Sequence, residues 1–103
     1  MNLLEIAKAN LQQSISGRYI TNEHILPFLE SLPQSFHLKI EGKSVKNQNI
    51  YSVKVGTGKT KVYMWSQMHG NEATTTKAVI DLLAYLTTDS EEVKNILNHF
   101  CLY

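Results

Sequence analysis

Residues 61–86 read KVYMWSQMHGNEATTTKAVIDLLAYL, and this stretch decides the local fold. Its first six residues, 61–66, are rich in β-branched and aromatic side chains and precede a break, which is typical of a strand. After the break, residues 73–86 have the apolar spacing of an amphipathic helix. Four apolar residues share one face of that helix: Val79, Leu82, Leu83 and Leu86. The stretch is therefore predicted to form a strand, a tight turn and a helix.

The tetrapeptide His69-Gly70-Asn71-Glu72 occupies the break between the predicted strand and helix. Imidazole and carboxylate groups both bind zinc well, and a strand end followed by a helical turn can aim them at one point. Gly70 lacks the Cβ that would obstruct a sharp turn, and Glu72 would lie where the helix dipole favours an ionised carboxylate. In the alternative interpretation the tetrapeptide is a polar loop, in which Asn71 caps the helix and Glu72 only complements the helix dipole. The tetrapeptide is a candidate half of a metal site, and its spacing leaves both interpretations open.

Length and composition exclude several classes of protein. The 103 residues form at most one domain, and a formal net charge of +1 gives no electrostatic reason to expect nucleic acid or a membrane as partner. The apolar stretches are far shorter than a membrane span. No secretion signal follows Met1, so a cytoplasmic location is expected. Cys101 is the single cysteine, which excludes an internal disulfide and predicts a small buried apolar residue.

Three further helical segments are predicted from periodicity and from capping signals. Residues 3–15 have the spacing of an amphipathic helix, which Gly17 would end. Residues 21–32 form a second helical segment, in which Pro27 either is the first helical residue or kinks the helix. Residues 88–91 offer a capping box for a short helix that ends near residue 98.

Alternating apolar and polar residues predict the remaining strands. Residues 36–40 and 50–55 are expected to pair as antiparallel strands joined by a polar loop. The segment Gly56–Lys59 resembles the end of a phosphate-binding loop, but Val53 stands where that motif needs glycine, and a strand follows instead of a helix. A hairpin-type turn is therefore predicted there. Residues 99–103 have the composition of the start of another strand.

Other polar residues are weaker candidates for chemistry. His24, His37 and His99 could be further metal ligands, but each occupies a position that suits an exposed structural role. The run Thr74–Thr76 lies in the first turn of the predicted helix, where threonine hydroxyls commonly bond free backbone groups. No histidine or aspartate stands at a spacing that would activate one of these threonines.

Several of these features occur in a characteristic order. They are the helical segment from Arg18 with Ile25, Leu26, Leu29 and Leu32, the hairpin from Gly42–Val45 through Ile50 to Val55–Gly56, the run Trp65–Glu72, the helix 74–86 and the strand from Phe100. Together they resemble the zinc carboxypeptidases of the carboxypeptidase A-like family. The most specific element is Trp65–Glu72, which is similar to the HGxE zinc motif as bacterial members carry it. The resemblance runs from about Arg18 to Tyr103, and the first helix is not a widespread feature of the family.

The resemblance implies an α/β fold, namely a partial mixed sheet flanked by helices, the N-terminal part of a carboxypeptidase A-like α/β/α domain. Residues 1–17 would be an N-terminal helix, and residues 18–103 the N-terminal part of the domain. An apolar strand that stops at Tyr103 without a turn or polar tail leads us to expect a single incomplete domain, a fragment of a longer protein. Uncovered sheet edges are expected to make the isolated chain self-associate.

The resemblance also implies a metallocarboxypeptidase, a hydrolase that removes C-terminal residues with a metal-activated water. In this family the histidine and glutamate of the motif, here His69 and Glu72, bind the catalytic Zn²⁺, and a distant second histidine completes the site. The general base and the groups that grip the substrate's carboxylate are expected beyond residue 103, so no catalytic residue is assigned in this chain. With two of three protein ligands, the chain alone is expected to bind zinc weakly or not at all and to be inactive.

Two other functions remain open. A zinc deacylase of the aspartoacylase or succinylglutamate desuccinylase type shares a His-Gly-x-Glu motif and acts on amino-acid conjugates, although the hairpin and the Met68-His69 context favour a carboxypeptidase. A non-catalytic α/β interaction module would keep the scaffold without a working site. It predicts a reading frame that ends near Tyr103 or continues without a second histidine ligand.

Overall fold

The computed structural model describes residues 2–103, and within them it contains four helices and four strands. The helices are α1 (Leu3–Asn10), α2 (Asn22–Ser31), α3 (Ala73–Leu86) and α4 (Glu91–His99). The strands are β1 (His37–Lys43), β2 (Asn49–Lys54), β3 (Thr60–Val62) and β4 (Phe100–Leu102).

β1 and β2 form the predicted antiparallel pair, in which Leu38 lies opposite Val53. The register shifts between Ile40 and Gly42, so the hairpin contains one irregularity. At the tip, the Ser44 N–H donates to the Gln48 carbonyl at 2.8 Å, which closes a tight turn. Both strands extend further toward this turn than predicted, because residues at the ends of the polar loop continue the ladder of backbone hydrogen bonds.

β4 lies between β3 and the end of β2. On one side it pairs in parallel with β3, with Leu102 opposite Val62. On the other side Leu102 and Val55 exchange two backbone hydrogen bonds in an antiparallel bridge, at 2.8 and 3.0 Å. One strand therefore has a parallel and an antiparallel neighbour. This mixed arrangement, with helices between the strands, confirms the predicted α/β fold with a partial mixed sheet.

β3 ends at Val62, earlier than the predicted strand of residues 61–66. Tyr103 is the last residue that pairs with this segment: its N–H donates to the Val62 carbonyl, and its carbonyl accepts from the Met64 N–H, both at 2.8 Å. The rings of Tyr63 and Tyr103 stack with centroids 4.7 Å apart. Trp65 follows with 71% of its surface exposed. The hydrogen bond from Met64 is the last one between the backbones of the two segments, so the strand does not extend to residue 66.

The segment Gly56–Lys59 is not the hairpin turn that the sequence predicts. It connects β2 to β3, which are not neighbours, because β4 lies between them. The segment crosses the junction of α4 and β4, where the Thr57 N–H donates to the Leu97 carbonyl at 2.8 Å and the Gly58 N–H to the Phe100 carbonyl at 3.2 Å. A Cβ at Gly58 would overlap the backbone of His99 and Phe100, so the close crossing requires glycine. A strand follows the segment, as predicted, and not the helix of a phosphate-binding loop.

α3 has the bounds that the sequence predicts and packs into the centre of the molecule. Ile80 and Leu86 are almost fully buried on its inner face. Cys101, a free thiol, is buried as predicted. The core also includes residues from both ends of the chain and from the sheet: Ile15, Ile20, Leu29, Phe36, Val55, Ala73, Leu83, Val93 and Leu102.

The first two helices differ from their predictions. α1 ends at Asn10 and not near residue 15, because Leu11 adopts an extended backbone, so Gly17 does not end it. α2 begins at Asn22, so the alternative in which Pro27 is the first helical residue is wrong. Pro27 lies inside the helix, where it has no N–H to donate to the preceding turn.

α4 confirms the predicted short helix, with a different cap. Ser90 is its N-cap residue, and the Ser90 hydroxyl accepts from the Val93 N–H at 3.2 Å. The capping box predicted at residues 88–91 would have placed the cap two residues earlier. Among residues 2–103, no helix combines the length and the apolar composition needed to cross a membrane.

Candidate metal centre

His69 and Glu72 lie at the two ends of one turn that leads into α3. The Glu72 N–H donates to the His69 carbonyl at 3.0 Å, which closes the turn. Glu72 itself is the N-cap residue of α3, so the alternative in which Asn71 caps the helix is wrong. The Glu72 side chain makes no capping hydrogen bond. Its carboxylate is therefore available to bind a metal ion.

The side chains of His69 and Glu72 meet above this turn. His69 Nδ1 lies 3.3 Å from Glu72 Oε2, and the two side chains are 71% and 59% exposed. Two ligand atoms that share one tetrahedral zinc at about 2.0–2.1 Å lie about 3.3–3.4 Å apart. The spacing of Nδ1 and Oε2 therefore suits two neighbouring ligands of a single zinc ion. The exposure of both side chains leaves room for further ligands and for a substrate.

The chemistry of the pair also suits a cation, because imidazole and carboxylate groups are both zinc ligands. Without a metal, the contact is a hydrogen bond when His69 Nδ1 carries the ring proton. A metal bound at Nδ1 would take the place of that hydrogen and leave the ring proton on Nε2.

Gln67 attaches this turn to the rest of the protein. Its side-chain Nε2 donates to the Gly70 carbonyl at 2.7 Å and to the Ile20 carbonyl at 3.1 Å, while its Oε1 accepts from the Thr76 hydroxyl at 2.7 Å. The backbone of Gln67 is left-handed, with φ 52°. That conformation costs about 1–2 kcal/mol for a residue with a Cβ, so these hydrogen bonds hold a strained backbone in place. Nothing in the sequence pattern singles out Gln67 beyond its position as a polar residue after an apolar run.

The threonines at the start of α3 bind the same turn. The Thr75 hydroxyl accepts from the Gln67 N–H at 3.0 Å and donates to the Glu72 carbonyl at 3.3 Å. The Thr76 hydroxyl is buried and also lies 2.9 Å from Ser66 Oγ. Thr75 thus bonds a free backbone donor, as predicted, but that donor is the N–H of Gln67, which precedes the turn and is not part of the helix.

The other three histidines have local partners or face solvent. His24 Nδ1 accepts from the Thr21 N–H at 2.9 Å at the start of α2, and His99 Nδ1 donates to the Asn95 carbonyl at 2.8 Å at the end of α4. His37 is exposed on β1. Across residues 2–103, no three histidine, cysteine, aspartate or glutamate side chains are grouped so that they could hold a metal ion. The structure brings together the predicted pair and adds no third ligand from the part of the chain that it describes.

A sequence profile described as zinc carboxypeptidase matches residues 22–103, which is most of the chain. The chain belongs to the zinc carboxypeptidase family. The match begins at the first residue of α2 and covers the hairpin, the turn with His69 and Glu72, and β4. α1 precedes the residues that match the family profile. No curated protein and no solved structure gives a significant match.

Proposed function

We propose that this chain is the N-terminal part of a zinc metallocarboxypeptidase and that His69 and Glu72 are two of the three protein ligands of its catalytic zinc. The observation that carries the proposal is the 3.3 Å separation of His69 Nδ1 and Glu72 Oε2 on an exposed turn. Family membership adds the reaction class, hydrolysis of a C-terminal peptide bond. The substrates proposed are peptides with a free carboxyl terminus or related amino-acid conjugates.

The residues of this chain would supply binding and charge to the reaction. A bound zinc polarises the scissile carbonyl and lowers the pKa of a water toward neutrality. His69 would contribute a neutral ring through Nδ1, and Glu72 a negative charge that offsets part of the charge of the cation. The turn between β3 and α3 exposes both groups, so a peptide can approach the metal without displacing buried structure.

We further propose that the third protein ligand, the general base and the groups that bind the substrate's carboxylate lie on polypeptide outside these 103 residues. Two protein ligands are fewer than catalytic and structural zinc sites use. On this proposal the 103-residue chain alone binds zinc weakly and is inactive, and the complete protein binds it tightly.

The experiment compares the product of the complete reading frame with its His69→Ala and Glu72→Gln variants. Each substitution is expected to lower zinc affinity by more than about 100-fold, since losing even a partner of a ligand costs about 10–100-fold. Zinc affinity is measured by competition with a chromophoric chelator, and hydrolysis with peptides that carry a free C-terminus. His37→Ala is the matched control, because His37 is exposed on β1 and distant in sequence from the turn.

Each outcome points to one function. Zinc-dependent release of C-terminal residues, lost in His69→Ala and kept in His37→Ala, supports the carboxypeptidase. Hydrolysis of acylated amino acids in place of peptides would identify a deacylase. A complete protein that binds no zinc would contradict the metal site and leave a non-catalytic module.

A further inference from the structure

The turn from His69 to Glu72 makes few contacts with the rest of the protein. The side chains of His69 and Glu72 are mostly exposed, and Gly70 has open space where a Cβ would lie. Apart from the hydrogen bond that closes the turn, its position depends on the side chain of Gln67 and on Thr75. The groups that hold the turn are therefore few and identifiable.

Gln67 uses nearly all of its hydrogen-bonding capacity to connect three separate parts of the molecule. Both hydrogens of its amide nitrogen are donated, one to the Gly70 carbonyl inside the motif and one to the Ile20 carbonyl ahead of α2. Its amide oxygen accepts from Thr76, whose side chain is buried in the first turn of α3. One side chain thus ties the centre of the motif to two elements that pack in the core.

The left-handed backbone of Gln67 makes this connection possible. Gln67 has φ 52°, and its N–H donates to the Thr75 hydroxyl, 3.0 Å away. From this backbone position the side-chain amide reaches the Gly70 carbonyl, 2.7 Å away. Gly70 lies between the two candidate ligands in sequence, so a hydrogen bond to its carbonyl restrains the backbone that joins them.

We propose that Gln67 is a positioning residue for the zinc site: its side-chain amide holds the Gly70 carbonyl and so presets His69 Nδ1 and Glu72 Oε2 at the spacing that zinc requires. On this proposal Gln67 acts through the turn and is not itself a ligand of the metal. This inference rests on the proposed function, because it concerns the same two ligands. Preset ligands bind a metal more tightly, since less ordering is needed when the metal arrives.

The decisive variant is Gln67→Met in the complete protein, which keeps the length of the side chain and removes its donors and acceptor. Zinc affinity, measured by chelator competition, is expected to fall by about 10–100-fold, the range found when the hydrogen-bond partners of metal ligands are removed. The visible absorption of the cobalt(II)-substituted protein is expected to change as well, because loosened ligands alter the coordination geometry. Gln13→Met, at an exposed position, is the control and should match the wild type in both measurements.

A second variant, Thr76→Val, removes the hydroxyl that orients the Gln67 amide and leaves the donors of Gln67 in place. A several-fold loss of zinc affinity in Thr76→Val supports the proposal, and it decides the matter if Gln67→Met does not fold. Folded Gln67→Met with wild-type zinc affinity and an unchanged cobalt spectrum would overturn the positioning role. If His69→Ala leaves zinc binding intact, the metal site itself is wrong, which is a separate failure.

Discussion

At the scale of single residues, Gly58 shows how closely two backbones can approach in this fold. The segment from Gly56 to Lys59 crosses the α4–β4 junction, and its N–H groups bond carbonyls of Leu97 and Phe100. Gly56 adopts φ 94°, whereas Gly58 has an ordinary backbone and is required only by the lack of space.

Gly58→Ala is expected to destabilise the protein by about 1–3 kcal/mol or more, because a methyl group forced against rigid backbone must displace the crossing segment. The free energy of unfolding is measured by urea titration. Gly42→Ala is the matched control: a Cβ there meets no atom within 4 Å, so its effect should stay within about 1 kcal/mol. Equal stabilities of the two variants would contradict the close crossing.

The proximity of His69 and Glu72 could be predicted from the sequence, and the contacts of Gln67 could not. His69 and Glu72 are three positions apart at a strand-to-helix break, and local spacing records that. The role of Gln67 depends on a carbonyl 47 positions earlier and on a left-handed backbone. Neither the distant contact nor the backbone conformation leaves a signal in the neighbouring residues.

At the scale of elements, the start of α4 is held by two kinds of contact. The Ser90 hydroxyl caps the helix, and Lys94 forms exposed ion pairs with Asp89 at 2.9 Å and with Glu91 at 3.3 Å. The hydrogen bond from Lys94 lowers the pKa of the Asp89 carboxyl. Exposed ion pairs contribute little to stability because water screens them, so the cap is expected to dominate.

Ser90→Ala is expected to lower the free energy of unfolding by about 1 kcal/mol, the usual cost of losing a helix cap. Thermal and urea unfolding provide the measurement. Ser16→Ala, at an exposed position outside the helices, serves as the control. A loss in Asp89→Asn as large as that in Ser90→Ala would show that the ion pair, and not the cap, secures the helix start.

Elements with a strong local pattern were predictable, and their connections were less so. α3 and the β1–β2 hairpin follow from periodicity and alternation alone. The apolar spacing of residues 3–15 predicts one helix, yet Ile15 reaches the core from a turn after α1 has ended. The segment Gly56–Lys59 was predicted to be a hairpin turn. The sequence does not show that β4 lies between β2 and β3, the two strands that this segment connects.

At the scale of the whole molecule, β3 is at the edge of the sheet that the structure describes, and apolar side chains lie beside it. Trp65 is 71% exposed, Tyr63 64% and Met64 40%. An exposed strand edge with apolar neighbours can pair with another chain. We propose that the isolated 103-residue chain self-associates through this surface, which we call the β3 edge (residues 60–65).

The self-association is tested by light scattering over a range of concentrations. The apparent mass of the isolated chain is expected to rise with concentration, and Trp65→Lys should reduce that rise by placing a charge on the β3 edge. Val45→Lys, at a fully exposed apolar position in the hairpin turn, is the control and should not. A monodisperse monomer at the highest concentration would contradict the proposal.

The class of the fold was predictable because the order of motifs resembles one family, and the family match and the strand pairing confirm it. The order of the strands in space was not derivable from alternation. Strand order depends on backbone pairing between residues about 40 positions apart, such as Thr60 with Phe100 and Val62 with Leu102. The alternation of apolar and polar side chains does not indicate which strands pair.

The central place of β4 has a consequence for biosynthesis. The ribosome makes β3 and the end of β2 well before residues 100–102. During translation the backbone groups of these two segments that pair with β4 therefore remain unpaired. Hairpin β1–β2 can form early, but the strands on either side of the gap cannot be joined until β4 emerges. Until β4 emerges, the nascent chain exposes unpaired strand edges, and such edges are prone to aggregation.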